Sequence, residues 1–162
     1  MRYLSTRGQA AELGFTEVLL AGLASDGGLY VPAEWPFLPA KGEGMGYAQR
    51  AAQIMQLFVG DDIAPDALTA MCVAAYDVFD HPAVVPLVQI ADDHFVQELF
   101  HGPTLAFKDV ALQLVGRLFE HVLAQQDRRV TIVGATSGDT GSAAIDGIKH
   151  CSHADIFILF PK

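Results

Sequence analysis

The chain has few basic residues and no long hydrophobic run. Its 162 residues include 10 Lys and Arg against 19 Asp and Glu, so the formal net charge is -9. This excess of negative charge argues against binding to nucleic acid or to an anionic membrane surface. No stretch of about 18 apolar residues is present, which argues against a membrane-spanning helix. The N-terminus also lacks the apolar run of a secretory signal peptide.

Cysteine is scarce as well, and its two positions do not indicate a disulfide framework. Cys72 and Cys151 are far apart in the sequence, so a reducing cytoplasm is the simplest predicted compartment. The segment KHCSH, residues 149–153, supplies His150, Cys151 and His153 as potential metal ligands. Because no second group of ligands at zinc spacing accompanies it, we predict no metal site; side chains at the end of a helix are the simpler interpretation.

The first half of the chain is predicted to be mainly helical. Apolar residues recur at helical spacing, and we predict helices over residues 15–23, 47–59 and 65–79. The segment SDGGLYVP, residues 25–32, predicts a turn that leads into a short extended segment, because its paired glycines permit positive φ angles. Residues 34–46 are rich in proline and glycine and indicate a surface connection.

The second half is predicted to alternate between strands and helices. Residues 84–100 predict two strands joined by a turn at Asp92 and Asp93, and a helix is predicted from Asp109 to about Ala124. The apolar stripe of this helix consists of Ala111, Leu114, Val115, Leu118 and Val122. Its predicted water-facing residues are Gln113, Arg117 and Glu120.

A βαβ unit is predicted in the last third of the chain. RRVTIVGAT, residues 128–136, has a continuous apolar run that is typical of a strand buried on both faces. A glycine-rich turn and a helix follow, and ADIFILFPK, residues 154–162, predicts a second buried strand. This order predicts a parallel sheet that is flanked by helices.

The glycine-rich turn, ATSGDTGSAA at residues 135–144, is the first candidate for chemistry. Successive backbone N–H groups and the helix dipole form a seat for an anion at such a turn. Gly138 and Gly141 allow the backbone to approach a ligand. The hydroxyl donors of the turn are Thr136, Ser137 and Thr140. The turn is neither a P-loop nor GxGxxG, and a tight turn without a ligand is the alternative interpretation.

The second candidate is Lys108, at the start of a predicted helix in ELFHGPTLAFKD, residues 98–109. The helix dipole and apolar neighbours both disfavour a cation there, so they favour a neutral amine that is able to form a Schiff base. A surface lysine with its stem along apolar side chains is the alternative. His101 either lines the pocket or is structural. A reactive lysine together with an anion-binding turn indicates an amino-acid enzyme that uses pyridoxal phosphate.

These motifs resemble those of threonine synthases. ELFHGPTLAFKD followed by TSGDTG resembles the family's lysine and substrate segments, and YLSTRG, residues 3–8, with SDGGLYVP is similar to its N-terminal signature. The resemblance extends from Tyr3 to Lys162. It implies an α/β enzyme of pyridoxal-phosphate fold type II. A mainly helical N-terminal subdomain is expected at residues 1–83, and the first part of the cofactor-binding domain, with a mostly parallel, helix-flanked sheet, at residues 84–162.

The resemblance implies conversion of O-phospho-L-homoserine and water to L-threonine and phosphate. Lys108 matches the lysine that holds pyridoxal 5'-phosphate and then acts as general base and acid. Phe107 and Asp109 flank it as further cofactor contacts that would fix its direction, and Asp139 matches a position next to the cofactor's 3' oxygen. The positions that the resemblance assigns to substrate binding are Ser137, Gly138, Thr140 and Gly141. Thr136, as a hydroxyl residue of the same turn, and His101, which precedes the lysine loop, are further candidates for substrate binding.

The resemblance also implies that part of the enzyme is absent from this sequence. The family's glycine-rich loop for the cofactor phosphate has no counterpart here, so we expect an N-terminal part that is inactive alone. Hydrophobic residues make up 51% of the chain, and surface normally covered by the absent part predicts self-association. The alternatives are another lyase of this fold type, such as a dehydratase or a cysteine synthase-like enzyme, and a non-catalytic anion-binding fragment.

Overall fold

The computed structural model describes residues 1–40 and 44–161 of the chain. Residues 41–43, in the predicted proline- and glycine-rich connection, lie outside the described residues, as does Lys162. None of the helices in the described part of the chain is long and apolar enough to cross a membrane.

The chain divides into two compact units, residues 1–70 and residues 71–162. The division falls within a helix that spans Pro65–Tyr76. The domain boundary predicted between residues 83 and 84 lies further along the chain and stays a prediction for the whole protein.

A small antiparallel sheet begins the first unit. Its strands are β1 (Arg2–Ser5), β2 (Leu13–Gly14) and β3 (Tyr30–Pro32), in the order β2-β1-β3. Tyr3 and Ser5 of β1 are buried. The sequence predicts only β3, because β1 and β2 are too short for an alternation of apolar and polar residues to stand out. The predicted mainly helical part therefore also contains a sheet.

Three helices lie close to those predicted, and the third of them crosses from the first unit into the second. α1 spans Phe15–Ala21, α2 spans Tyr47–Val59, and α3 spans Pro65–Tyr76. The bounds of α2 are those predicted, and Gly60, whose φ is 63°, ends this helix. A glycine adopts this left-handed conformation without the steric cost that a Cβ would bring.

Asp26 joins the two N-terminal segments that resemble the family signature. Its carboxylate accepts hydrogen bonds from the Ser5 hydroxyl at 2.7 Å and from the backbone N–H groups of Gly28, Gln9 and Ala10 at 2.9 to 3.0 Å. The Ser5 hydroxyl, together with these amides, lowers the pKa of Asp26 to about 2. The conspicuous residues of both segments thus serve to hold the first unit together.

The second unit confirms the predicted hairpin and the predicted βαβ order. β4 (Leu87–Ala91) pairs antiparallel with β5 (His94–Gln97). After helix α4 (Asp109–Gln125), strand β6 (Val130–Ala135), helix α5 and strand β7 follow. The bounds of these last two elements are Asp139–Ile148 for α5 and Ala154–Leu159 for β7. β6 and β7 are parallel neighbours, and this mixed helix-and-strand arrangement with a parallel sheet is the predicted fold class.

Two glycines let α4 and α5 pack backbone against backbone. A Cβ on Gly116 would overlap the carbonyl oxygen of Gly147, and a Cβ on Gly147 would overlap the carbonyl oxygen of Leu112. Any larger residue at either position would force the two helices apart. This contact fixes the separation of the helices whose first turns bear the candidate site residues.

The inward face of α4 differs from the predicted one. Leu114, Leu118 and Val122 are buried as predicted, but Gln113, predicted to face water, is only 5% exposed. Its Nε2 donates a hydrogen bond to an Asp146 carboxylate oxygen on α5 at 2.6 Å. The prediction for Gln113 is therefore wrong, because a partner on another helix satisfies a polar group that periodicity alone assigns to solvent. Ala111, predicted to face inward, is exposed.

The prediction that β6 and β7 are buried on both faces is also not met within the described residues. Alternate residues of both strands are exposed, including Val133 at 68%, Phe157 at 60% and Leu159 at 63%. Strand β7 packs against α5, where Ile158 lies next to Gly141. Because both strands are mainly apolar on both faces, one apolar face of the β6–β7 pair is left uncovered by the described residues.

Candidate active site

Lys108 is the residue that immediately precedes α4. Its φ and ψ are -65° and -21°, and its side chain is half-buried. Its ammonium nitrogen, Nζ, lies 4.2 Å from the centre of the Phe107 ring. An ammonium group at this distance from an aromatic face is attracted by the ring quadrupole, so the adjacent Phe107 gives the lysine a preferred direction.

Lys108 and Thr140 line the same recess. This recess has a volume of about 500 Å³ and is otherwise apolar; its lining residues are Leu99, Phe107, Lys108, Val110, Ala111, Leu112 and Thr140. Lys108 comes from the start of α4 and Thr140 from the first turn of α5. The structure therefore brings together the two sequence segments for which chemistry is predicted, which lie far apart along the chain.

The loop before Lys108 closes on Asp109, which does not line the recess. The Asp109 side chain is fully buried. One of its carboxylate oxygens accepts a hydrogen bond from the Thr104 N–H at 2.8 Å, and the other accepts one from the Thr104 hydroxyl at 2.7 Å. A Cβ on Gly102 would lie 2.5 Å from the Cβ of Asp109, so only glycine permits this approach. Asp109 contacts its own loop rather than the recess.

Some hydrogen-bonding groups of the glycine-rich turn bond to each other. Gly138, whose φ is 145°, precedes α5. The Thr136 hydroxyl oxygen accepts hydrogen bonds from the N–H groups of Gly138 at 3.3 Å and Gly141 at 3.0 Å. A Cβ on Gly141 would lie 2.7 Å from that oxygen. Thr136, predicted as a hydroxyl donor for a ligand, also accepts these two hydrogen bonds and so caps the helix.

Other amides of the turn remain free for a ligand. No residue in the ranges 1–40 and 44–161 accepts a hydrogen bond from the N–H groups of Ser137, Asp139 or Thr140. The side chains of all three residues are exposed. Unpaired N–H groups at a helix N-terminus are the groups that bind carboxylate or phosphate in proteins.

His101 lies in a separate small cluster before the lysine loop. Its Nε2 lies 2.7 Å from a carboxylate oxygen of Glu98, and its ring is 4.7 Å from that of Phe100 and 5.1 Å from that of His81, centre to centre. His101 is half-buried and does not line the recess that Lys108 lines. Its contacts are those of a residue that orders the segment leading to the loop.

Cys151 and His153 converge on Glu120, a residue predicted to face water. One Glu120 carboxylate oxygen accepts hydrogen bonds from the Cys151 thiol at 2.9 Å and the Ser152 N–H at 2.8 Å. The other lies 3.1 Å from Nδ1 of His153. Burial and the hydrogen bond to Glu120 raise the pKa of Cys151 to about 11. These contacts tie the end of α5 to α4, and the described residues contain no cluster placed to hold a metal ion.

The sequence motifs do not predict the apolar wall of the recess. Leu99, Val110 and Leu112 line it together with Ala111, which helical spacing assigns to the buried stripe of α4. Only their positions in the sequence indicate that they line the recess. Val110, Ala111 and Leu112 follow Lys108 directly in α4, and Leu99 follows β5. Residues in the first turn of a helix share the surroundings of the residue that begins it.

Comparison with known proteins agrees with the sequence motifs. The model of the family described as threonine synthase N terminus matches residues 2–76. Threonine synthase from Pseudomonas aeruginosa is 55% identical over 165 residues, which covers 99% of this chain and 35% of that relative. The resemblance to threonine synthase is confirmed. The threonine synthase of Schizosaccharomyces pombe is 44% identical over 173 residues and is covered to 34%.

Solved threonine synthase structures share the fold. A pyridoxal-phosphate-bound threonine synthase from Brucella melitensis superposes with a TM-score of 0.95 at 52% identity, over 100% of this chain and 36% of that one. Threonine synthase from yeast gives a TM-score of 0.87 at 39% identity, over 99% of this chain and 35% of that one. The chain therefore corresponds to about a third of the length of the threonine synthases it matches, and its fold is that of the N-terminal part of this fold type II family.

Proposed function

We propose that the whole protein is a threonine synthase, which converts O-phospho-L-homoserine and water to L-threonine and phosphate with pyridoxal phosphate as cofactor. The observation that carries this proposal is that Lys108 and Thr140 line one recess. The similarity to a threonine synthase structure with bound pyridoxal phosphate supports it. We propose that the 162-residue chain is inactive by itself.

The recess suits a flat aromatic cofactor that is joined to a lysine. Its volume of about 500 Å³ lies in the range that small-molecule sites occupy. Its walls are apolar except at Lys108 and Thr140, which matches a ring that is held by packing and fixed by few polar contacts. Lys108 would hold the cofactor through its amine. When bound, pyridoxal phosphate supplies an electron sink that stabilises negative charge on the substrate carbon next to the amino group.

The amine of Lys108 would also act as a general base and acid that moves protons to and from the bound substrate. Its half-buried position and its contact with the Phe107 ring limit the directions in which Nζ points. A general base or acid has to lie within hydrogen-bond reach of the proton that it transfers. Phe107 thus contributes by restricting the motion of Lys108 as well as by lining the recess.

The free amides of the glycine-rich turn would bind the substrate carboxylate. The N–H groups of Ser137 and Thr140 and the Thr140 hydroxyl offer donors at the positive end of the α5 dipole. Gly138 permits the turn through its φ of 145°. Asp139, whose carboxylate is exposed, would lie beside the cofactor's 3' oxygen.

The remaining predicted site residues would act more indirectly. Thr136 and Gly141 would shape the carboxylate seat through their mutual hydrogen bond. His101, paired with Glu98, would order the approach to the lysine loop. Their proposed part in substrate binding is therefore to hold the elements that contact the substrate.

Reduction of a lysine-bound cofactor tests the proposal directly. The full-length protein is incubated with pyridoxal phosphate, treated with borohydride and digested, and the labelled peptide is located by mass spectrometry. We expect the label on Lys108, its loss in Lys108→Ala, and its retention in Lys149→Ala, a control in which the removed lysine pairs with Asp146 on α5. A label on a different lysine would contradict the assignment.

Substrate trials test the reaction. We expect phosphate release from O-phospho-L-homoserine together with formation of threonine. Turnover of serine would instead indicate a dehydratase, and turnover of O-acetylserine a cysteine synthase-like enzyme. Cofactor binding without turnover of any of the three would favour the non-catalytic alternative.

We further propose that the isolated 162-residue chain self-associates through its uncovered apolar surface. The exposed face of β6 and β7 and the exposed hairpin residues Leu87, Ile90 and Phe95 support this. Light scattering over a range of concentrations should show species larger than a monomer, and a monomer at high concentration would contradict the proposal.

Both cysteines are unpaired, which supports the reducing cytoplasm as the proposed compartment.

A further inference from the structure

We propose that Asp109 is a positioning residue that directs Lys108 by holding Thr104, an inference that rests on the proposed function of Lys108. Asp109 is adjacent to Lys108 in sequence but does not line its recess. Both oxygens of its carboxylate are used by one residue, through the N–H and the hydroxyl of Thr104. The side chain thus clamps the loop of residues 102–108 onto the first turn of α4.

Burial of the Asp109 carboxylate costs free energy, which argues that the contact with Thr104 has a function. Asp109 is 0% exposed and makes no ion pair within the described residues. A buried carboxylate without a cation depends on strong hydrogen bonds and on the positive end of a helix dipole. Thr104 donates two hydrogen bonds to the Asp109 carboxylate, and Asp109 lies at the N-terminus of α4, where the helix dipole is positive. An apolar residue at this position would avoid the cost of burial but would not hold the loop.

The loop itself is strained between the two ends of the clamp. Leu105 has a φ of 61°, and its N–H donates to the carbonyl oxygen of Gly102 at 3.1 Å. A bulky residue in the left-handed region persists only where its surroundings enforce it. Gly102 is pressed against Asp109, where a Cβ would lie 2.6 Å from the Oδ2 carboxylate oxygen. The clamp therefore encloses the strained turn and holds it in place.

Lys108 lies between the strained turn and the residue that clamps it. The N–H of Asp109 also donates to the carbonyl oxygen of Ala106 at 3.0 Å, so the backbone on both sides of Lys108 is fixed. The side chain of Lys108 then leaves the backbone in one direction, along the Phe107 ring and toward the recess. Loss of the clamp would release the strained turn and let the amine leave that direction.

The test uses Thr104 rather than the charged residue. Thr104→Val keeps the shape and removes the hydroxyl bond, whereas Thr104→Ser keeps the bond. Thr131→Val, on the exposed face of β6, is the matched control. Three properties of the full-length protein are compared: amide hydrogen exchange of residues 102–108, the NMR signal of isotopically methylated Lys108 Nζ, and the rate at which Lys108 captures pyridoxal phosphate. The first two are measured without cofactor.

The methyl signal reports the direction of Lys108 independently of any reaction. Nζ lies 4.2 Å from the Phe107 ring centre, so the ring current displaces the signal, and Phe107→Leu identifies the displaced signal. We expect Thr104→Val to return it toward the value of a mobile lysine. Exchange of residues 102–108 should rise by about tenfold or more, since a hydrogen bond to a charged group is lost. Capture of the cofactor should slow by a similar factor, and Thr104→Ser should restore all three properties.

Several results would overturn the inference. Faster exchange in the loop with an unchanged methyl signal would mean that the clamp stabilises the loop without directing Lys108. Unchanged exchange would mean that Thr104 does not hold the loop. If the valine variant does not fold, Asp109→Asn, which keeps the size and loses the charge, is measured instead and judged by the same criteria. A wild-type protein that never captures the cofactor on Lys108 would refute the proposed function, while the methyl signal would still decide the part played by Asp109.

Discussion

Replacing Gly116 by alanine tests how α4 and α5 are held together. The added Cβ would overlap the carbonyl oxygen of Gly147 and would lie 2.7 Å from its carbonyl carbon. Both atoms belong to the backbone of α5, so no side-chain rotation relieves the overlap. The two helices must separate, or one of them must bend, to admit the methyl group.

The magnitude follows from two opposing effects on the free energy of unfolding. Alanine in place of glycine in a helix interior stabilises by about 0.5–1 kcal/mol. Overpacking of a well-packed contact costs about 1–3 kcal/mol, and a contact with rigid backbone belongs to the upper part of that range. We therefore expect Gly116→Ala to lower the free energy of unfolding by about 2 kcal/mol.

Denaturant unfolding of the full-length protein measures this loss. Ala124→Gly, at an exposed position near the end of α4, is the control, because it reports the helix preference without the steric contact. Since α4 and α5 begin at the recess, the Gly116 variant should also bind pyridoxal phosphate more weakly. A Gly116→Ala protein as stable as wild type or more stable would refute the close approach of the helices.

Further predictions follow from the capping and buried groups. The lowered pKa of Asp26 means that its contribution to stability is present above about pH 4 and is lost as the pH falls toward 2; Asp26→Asn should lower the unfolding midpoint at pH 7 and flatten this acid dependence. The pKa of Cys151, raised to about 11, predicts slow alkylation by iodoacetamide at pH 8. Glu120→Gln should accelerate alkylation severalfold and shift its pH profile to lower pH, and an unchanged profile would contradict the thiol–carboxylate bond. Thr136→Val should destabilise the protein by about 1 kcal/mol through loss of the α5 cap, whereas Thr136→Ser should not, as thermal unfolding would show.

Several elements were predictable because their signals are local. The apolar spacing from Tyr47 to Val59 and the glycine after it define α2 without reference to the rest of the chain. The same holds for the hairpin of β4 and β5, whose turn residues separate two short apolar runs. The order of β6, α5 and β7 likewise predicts parallel pairing, since a strand–helix–strand sequence allows little else.

Other features depend on partners that are distant in the chain. Gln113 and Glu120 read as surface residues on a helix, yet Asp146 and Cys151 bind them from the following helix and its end. The strands β1 and β2 exist because each pairs with a neighbour, and neither carries a periodic signal of its own.

The sequence by itself determined the secondary structure of the second half and the family resemblance, and it predicted Lys108 as the reactive lysine. Only the tertiary structure decided that Lys108 and Thr140 share a recess, that Thr136 caps a helix, and that Asp109 clamps its own loop. The physical reason is that the formation of a helix or strand depends mainly on residues that are close together in the sequence. The direction of a side chain and the satisfaction of a buried polar group instead depend on which backbones come into contact, as Gly116 and Gly147 illustrate.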